Sequence, residues 1–305
     1  MAHLIKLEDY SSRYQFDLNR YPSQYTRMKK ERWYYLKSEW EQMQYDTLAI
    51  NEKKINEFMM EESKSFFERL RKWTRRNREK PEELLNEGEN RLAKMTLEQV
   101  REEFLIELFQ SQLRWASSSL VEESTLDPHY KRDKWLRFFT QQIPDNYFLF
   151  YKPVFFVKKA PIELDIILIS PTEIYCITML EGQEHSVFEA SSDRFWTEFI
   201  DKTRKKKISP LVSLSRMSRV LKPILQEVEF IYPLRKIVLC PMSIIDNKMQ
   251  GTSVEFIDKR TFSRWTDKLK KHPSPIKNQQ LKVTSLLLNY CHTDTLESED
   301  EEDFD

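Results

Sequence analysis

The chain has 305 residues, 40% of them hydrophobic and 13% aromatic, and its 49 Lys and Arg residues balance 49 Asp and Glu residues. It contains three glycines, whereas an average usage of about 7% would give roughly 21. Loops that cradle phosphates need several glycines in a short run, because the backbone must approach the anion closely and adopt positive φ. The composition therefore excludes a Walker-type NTPase, a Rossmann dinucleotide site and a kinase-type glycine loop.

The three cysteines, Cys176, Cys240 and Cys291, are odd in number and far apart, so they predict free thiols rather than disulfides or a zinc site. The most apolar stretch, residues 147–157, is interrupted by Lys152 and Pro153 and is too short to cross a bilayer. The first residues include acids and no apolar signal-peptide core. We therefore expect a cytoplasmic protein that does not associate with membranes.

Residues 1–127 are predicted to be helical, because strong helix formers dominate and proline occurs only twice. Thr96 and Gln99 have the spacing of a capping box, which predicts a helix start at this point. Aromatic and aliphatic residues recur at helical spacing on either side of it. We expect three or four amphipathic helices that form a bundle or an extended arm, to which a protein partner or a second copy could bind.

After Asp127-Pro128, apolar runs of strand length are mixed with helical segments. Strands are predicted over residues 147–157, 162–169, 173–179, 237–239 and 254–257. Helices are predicted over residues 130–142, 209–221 and 261–269, with Ser209 as the cap of the second and Pro210 at its first position. This mixture indicates an α+β or α/β domain over residues 128–275.

Two further segments complete the predicted organisation. A C-terminal helix is expected within residues 276–293. Residues 294–305 carry eight acids and no base, which is typical of an acidic disordered tail.

Two segments are strongly basic: residues 64–80 carry eight bases against two acids, and residues 194–222 carry nine against two. Clusters of this kind can bind phosphates. The residues predicted to contact nucleic acid are Arg71, Lys72, Arg75 and Arg76 in the first segment and Arg204, Lys205, Lys206 and Lys207 in the second. The alternative is that both segments are solvated faces that balance the acidic residues elsewhere.

One acidic pair lies in an otherwise apolar segment. Glu163 and Asp165 are two residues apart in the predicted strand 162–169, so their side chains should point to the same face. Burying an unpaired acidic pair is costly. The pair is therefore a candidate metal site or a candidate buried ion pair.

This arrangement resembles the nuclease-related domain (NERD) family, a branch of the PD-(D/E)xK restriction-endonuclease-like fold. That family has Glu-x-Asp in an apolar strand, a short turn, and a second apolar strand that ends in Glu-x-Lys. At the same spacing this chain has Thr178 in place of the second Glu and Leu180 in place of the Lys. Asp133 falls near the family's first helix start, and Ser209-Pro-Leu-Val-Ser213 is similar to its Asn-Pro-x-x-Gln helix.

The resemblance implies a central mixed sheet flanked by helices, following the N-terminal helical bundle or arm. In this fold class the Asp and the second Glu bind a divalent cation, usually Mg²⁺, and the Lys positions the attacking water. Thr178 is a poor Mg²⁺ ligand, and Leu180 carries neither a charge nor a hydrogen-bond donor. The resemblance thus implies a remnant site, in which Asp165 is the retained metal ligand, formed by Asp133, Glu163, Asp165, Thr178 and Leu180.

We expect a catalytically inactive NERD-like protein that needs no cofactor and acts as a nucleic-acid-binding or scaffolding module, with DNA as a candidate partner. An active nuclease that uses Mg²⁺ is the first alternative, if groups such as Asp133 and Lys202 have taken over the missing roles. A protein-interaction adaptor that works through residues 1–127 is the second alternative.

Overall fold

The computed structural model describes residues 1–64, 92, 94–118, 125–157, 160–201, 203–249 and 251–293, and for residues 48–64 it describes the helix alone. The chain forms two compact units, one made of Met1–Tyr25 with Phe109–Asp305 and the other of Thr26–Leu108. Several predicted features lie outside the described residues. These are the basic residues Arg71, Lys72, Arg75 and Arg76, the candidate base Lys202, and the acidic tail 294–305.

The unit Thr26–Leu108 contains most of helix α1 (Tyr21–Lys64) and the first part of helix α2 (Leu97–Ala116). The predicted capping box is confirmed, since Thr96 N donates to Gln99 Oε1 at 2.8 Å and Gln99 N donates to Thr96 Oγ1 at 3.3 Å. The rings of Trp33 and Phe104 lie 5.0 Å apart. Aromatic residues of the two helices therefore pack against each other within this unit.

The other unit is a mixed α+β structure with three sheets. Its strands are β1 (His3–Leu7), β2 (Phe148–Tyr151), β3 (Val154–Val157), β4 (Ala160–Glu163), β5 (Ile166–Ile169), β6 (Ile174–Met179), β7 (Val187–Ala190), β8 (Phe195–Ile200), β9 (Thr203–Ile208), β10 (Leu234–Cys240), β11 (Ile244–Asn247) and β12 (Val254–Asp258). The sheet orders are β1-β2-β5-β6-β10-β12, β11-β7-β8-β9 and β3-β4. In the largest sheet β5 is antiparallel to β2 and β6, and the other neighbours are parallel.

Among the described residues of this unit, four α-helices follow α2: α3 (Lys134–Gln142), α4 (Pro210–Leu225), α5 (Phe262–Lys270) and α6 (Asn278–Asn289). Alternating strand residues enter two different cores, as β5 shows with Ile167 in one core and Leu168 in the other. The first core also contains side chains of α4 and α6, and the second contains side chains of α3 and α5. The six-stranded sheet thus has helices on both faces.

Strand β1 corrects the prediction that residues 1–127 are helical throughout. All five residues of β1 are buried, and the strand pairs in parallel with β2. His3 N donates to Tyr147 O and Glu8 N donates to Tyr151 O, both at 3.0 Å. The partner strand is far away in the sequence, so local periodicity could not reveal it. The predicted domain boundary at 127/128 also differs from the boundaries of the compact units.

Two predicted strands are each divided in the structure. Residues 147–157 form β2 and β3, which separate at Lys152, with φ +50°, and Pro153, which has no N–H for a ladder. Residues 162–169 are divided between β4, which ends at Glu163, and β5, which begins at Ile166. Between the two strands, Leu164 N donates to Pro153 O at 2.9 Å and Lys152 N donates to Asp165 O at 2.8 Å. The prediction that Glu163 and Asp165 share one strand is therefore wrong.

Helix α4 confirms the prediction for its start. Ser209 is the N-cap, its Oγ accepts from Leu211 N at 3.3 Å, and Pro210 occupies the first turn. Leu214, Met217 and Leu221 are buried against the sheet along one stripe of this helix.

Lys6 is a buried cation in β1. Its Nζ donates to Tyr10 O at 2.6 Å and to Thr293 Oγ1 at 2.9 Å. Burial lowers the pKa of Lys6 from 10.5 to about 8 because the charged amine loses its hydration. The hydrogen bond to Thr293 ties the first strand to the last described residue of the chain.

This geometry predicts a pH dependence of stability. The folded state binds fewer protons than the unfolded state between the pKa values of about 8 and 10.5. The contribution of Lys6 to the unfolding free energy therefore increases as the pH rises through that window. Lys6→Met should remove this effect. The difference in unfolding free energy, wild type minus variant, should grow by about 3 kcal/mol across the window in urea denaturation. Lys268→Met, at an exposed lysine, is the control and should give a flat difference; a flat difference for Lys6→Met would contradict the prediction.

Candidate functional site

A pocket of about 740 Å³ lies at the ends of β2, β5 and β6, beside the start of α4. Its lining includes all five residues of the predicted remnant site: Asp133, Glu163, Asp165, Thr178 and Leu180. The structure thus brings together residues that come from α3, two different sheets and the connections between them. Glu163 lines the pocket from the end of β4 although it does not share a strand with Asp165.

Asp165 lies directly opposite Thr178. The antiparallel register pairs Ile166 with Ile177, and its continuation by one residue pairs Asp165 with Thr178. Asp165 is half-buried, and its Oδ2 accepts a hydrogen bond from Ser213 Oγ at 2.6 Å. Arg216 Nη2 donates to the same hydroxyl at 3.4 Å. Asp165 is in none of the ion pairs formed by the described residues, so the first turn of α4 supplies its partner.

Thr178 and Leu180 occupy the two positions that carry the metal-binding Glu and the Lys in the family the sequence resembles. Thr178 is 7% exposed, and its Oγ1 has no hydrogen-bond partner among the described residues. Leu180 is 6% exposed, and its side chain belongs to the core that α4 covers. The Glu position therefore holds the buried hydroxyl of Thr178, and the Lys position holds the apolar side chain of Leu180.

Asp133 is fixed as the N-cap of α3. Its Oδ1 accepts from Trp135 N at 2.9 Å and from Leu136 N at 3.0 Å, and its Oδ2 accepts from the Tyr151 hydroxyl at 2.8 Å. Burial, together with the nearby Asp133 charge, raises the pKa of Tyr151, so this hydroxyl stays protonated and continues to donate. The helix predicted over residues 130–142 begins at Lys134 instead, and Asp133, which the resemblance places near a helix start, is its N-cap. Its carboxylate is already held by three donors.

The donor set does not fit the Mg²⁺ ion that the resemblance implies. Magnesium needs near-octahedral oxygen ligands, carboxylates above all, and at this site Thr178 is neutral and Leu180 is apolar. Asp165 is committed in part to Ser213. Among the described residues, no group of three or more His, Cys, Asp or Glu side chains is arranged to hold a metal ion.

Four basic residues and one further acid also line the pocket: Lys134, Lys152, Arg194, Arg216 and Glu181. The prediction of the remnant site did not include them. Arg194 and Arg216 lie in the basic segment 194–222, and Arg216 follows Ser213 by one helical turn, which places both on one face of α4. Ser209 N donates to Arg194 O at 2.8 Å, so the residue before β8 is brought to the start of α4.

The predicted nucleic-acid-binding residues Arg204–Lys207 lie in β9, an edge strand that the sequence did not predict. Arg204, Lys205 and Lys206 are exposed. Lys207 forms an ion pair of 3.2 Å with Glu198, which is 1% exposed, and it also donates to Glu181 O. Three cations of the run therefore face solvent, and the fourth is held by β8.

The charge state of Glu198 explains why Lys207 is held. Burial alone would raise the pKa of Glu198, but the Gln183 N–H and the Lys207 ammonium outweigh burial, and the pKa is lowered. Glu198 therefore stays ionised and keeps its partner.

Ile208, the next residue along β9, lines the pocket, so the exposed cations lie on a strand that leads to the pocket.

No family model matches the chain, and no curated protein or solved structure matches it. None of the helices within the described residues has the length and apolar character needed to cross a membrane.

The unpartnered Thr178 hydroxyl predicts an unusual stability change. A buried hydroxyl without a partner loses its hydration and gains nothing in return. Thr178→Val keeps the shape of the side chain, so it should raise the unfolding free energy by about 1 kcal/mol in urea denaturation.

Thr284→Val is the matched control, because Thr284 is also buried but its hydroxyl donates to Gln280 O at 2.7 Å. This substitution should lower the unfolding free energy by about 1 kcal/mol. Equal and destabilising effects of the two substitutions would contradict the prediction.

Proposed function

We propose that this chain is a catalytically inactive relative of the NERD nucleases that binds nucleic acid through β9. One observation carries the proposal: the five remnant positions surround one pocket, while the two positions needed for metal-assisted hydrolysis hold Thr178 and Leu180. A mixed sheet with helices on both faces also agrees with a restriction-endonuclease-like fold. So does the location of Asp165, just before β5 and opposite the end of β6.

The chemistry of phosphodiester hydrolysis explains why we propose an inactive protein. In this class the metal ion stabilises charge on the phosphate and lowers the pKa of a water molecule, and a lysine orients that water. Leu180 carries neither a charge nor a hydrogen-bond donor, so it cannot orient the water. The pocket lysines are placed against aromatic rings instead: Lys134 Nζ lies 5.4 Å from the Trp135 ring centre, and Lys152 Nζ lies 5.9 Å from that of Tyr151.

The exposed side of β9 supports the nucleic-acid part of the proposal. Successive exposed cations along an extended strand can neutralise successive phosphates, and nearby aromatic rings can stack on bases. Arg204 lies 5.3 Å from the ring centre of Phe199, and Arg194 lies 5.9 Å from that of Phe195. Phe195 is 48% exposed, so cations and an accessible ring occur on neighbouring strands.

The first test measures binding of labelled single-stranded and double-stranded DNA by fluorescence anisotropy as a function of salt. Replacing Arg204, Lys205 and Lys206 together by Ser should weaken binding about 10-fold or more at low salt. It should also lower the slope of log K against log salt by about 2 to 3, because three phosphate contacts are lost.

Lys268, Lys270 and Lys271 provide the matched control, because they are exposed at the end of α5 and carry the same charge. Replacing these three by Ser should change DNA affinity little. An equal loss for both triple variants, or no salt-dependent binding by the wild type, would contradict a role for β9.

The second test addresses the nuclease alternative. Plasmid and linear DNA are incubated with the protein and Mg²⁺ or Mn²⁺, beside the Asp165→Ala variant. We expect no cleavage above that of the variant, since the water-orienting cation is missing. Cleavage that requires both the metal and Asp165 would show that other groups supply the missing roles.

The adaptor alternative has one observation in its favour. Tyr34, Tyr35 and Tyr45 on α1 are each at least 66% exposed, and exposed aromatic residues are frequent in protein interfaces. Sedimentation of the full chain would reveal self-association, which a triple Ser substitution of these tyrosines should abolish. If the protein is strictly monomeric, self-association is excluded, and this surface could serve only a different protein partner.

A further inference from the structure

The pocket contains a pair of hydrogen-bonding groups that the fold does not use. Thr178 Oγ1 is buried without a partner among the described residues, and Asp165 uses only Oδ2, for Ser213. Residues directly opposite each other on antiparallel strands project to the same face, about 5 Å apart. Asp165 and Thr178 both line the pocket, where Asp165 Oδ1 can only accept a hydrogen bond and the Thr178 hydroxyl can donate one.

Apolar side chains line the pocket beside charged ones, which include Lys152, Glu163 and Glu181. Ile166, Met179, Leu180 and Val212 line the pocket, while Arg194 and Arg216 line it and are exposed. Apolar walls with a few convergent polar groups are typical of sites for small flat ligands, and the volume of about 740 Å³ is in the range of such sites.

Strand β9 connects this pocket to the exposed cations. Ile208 at the end of β9 lines the pocket, and Lys206 and Arg204 precede it by two and four residues. At about 3.3 Å per residue these cations lie roughly 7 to 13 Å along the strand from the pocket wall. A nucleic-acid backbone bound on β9 would therefore bring its next nucleotide to the pocket.

We propose that the pocket binds one unpaired base whose Watson–Crick edge carries an amino group beside a ring-nitrogen acceptor, namely cytosine or adenine of a single strand. The amino group donates to Asp165 Oδ1, and the Thr178 hydroxyl donates to the ring nitrogen. Arg194 and Arg216 are then available for the phosphate. This inference rests on the proposed function for the source of the base.

The same geometry disfavours thymine and uracil. These bases present a carbonyl oxygen where the carboxylate requires a donor, and two acceptors facing each other repel. A buried polar group left unpaired by the wrong ligand is what gives a hydrogen-bonding site its selectivity. The pocket should therefore discriminate between bases, whereas the contacts of β9 with phosphates should not.

The test is calorimetric titration of the full chain with dCMP, dAMP, dTMP and inorganic phosphate. At least one of the nucleotides dCMP and dAMP should have an affinity about 10-fold higher than that of dTMP, or more. Thr178→Val should weaken this preference although it stabilises the fold, so that lost binding cannot be attributed to unfolding. Asp165→Asn should abolish it, because its amide can accept from Ser213 and then presents a donor to the base.

Thr284→Val is the control and should keep the preference. Binding of inorganic phosphate as tight as that of dCMP and dAMP would overturn the inference, as would equal affinity for all three nucleotides. If DNA binds to β9 but no mononucleotide is preferred, the inference fails and the proposed function stands. If dCMP or dAMP is preferred but DNA does not bind, the proposed function fails and the pocket is still a nucleotide site.

Discussion

The antiparallel register between β5 and β6 determines where the groups of the pocket lie. It pairs Ile166 with Ile177, so Asp165, just before β5, faces Thr178 near the end of β6. Side chains alternate between the two faces, so a slip of one residue would bury Asp165 among the apolar side chains of the opposite core. The residues of β5 are apolar and buried on both faces, so the polar residue Asp165 next to them is what distinguishes one register from the other. The hydrogen bond from Ser213 then fixes α4 against this pair.

The structure also shows how a chain without net charge can keep a cationic surface. Several acids are committed to contacts within the fold: Asp133 caps α3, Glu198 holds Lys207, and Asp258 pairs with Arg260 at 2.6 Å. Asp133 is thus engaged with uncharged donors, whereas Glu198 and Asp258 each neutralise one cation. Arg204, Lys205 and Lys206 are in none of the ion pairs formed by the described residues, so β9 presents three cations although the total charge is zero.

Features that depend on local chemistry could be predicted from the sequence, and features that depend on distant partners could not. The start of α4 follows from Ser209 and Pro210, and the capping box at Thr96 is local in the same way. Strand β9 has the sequence Thr-Arg-Lys-Lys-Lys-Ile, which lacks apolar alternation and extends because β8 pairs with it. At the site, the resemblance to the NERD family grouped Asp165 with Thr178, whereas Arg216 and Lys152 reach the pocket through tertiary structure.

The pairing of β1 with β2, and the hydrogen bond from Lys6 to Thr293, have a consequence for synthesis of the protein. Within the described residues β1 pairs with β2, so it stays unpaired until Phe148 has been made, and Lys6 can donate to Tyr10 O but not to Thr293 before that residue follows. At about 5 to 20 residues per second, β1 waits roughly 7 to 30 s for β2. The six-stranded sheet can therefore be completed only after β12 has been made, and its long-range contacts favour slow folding.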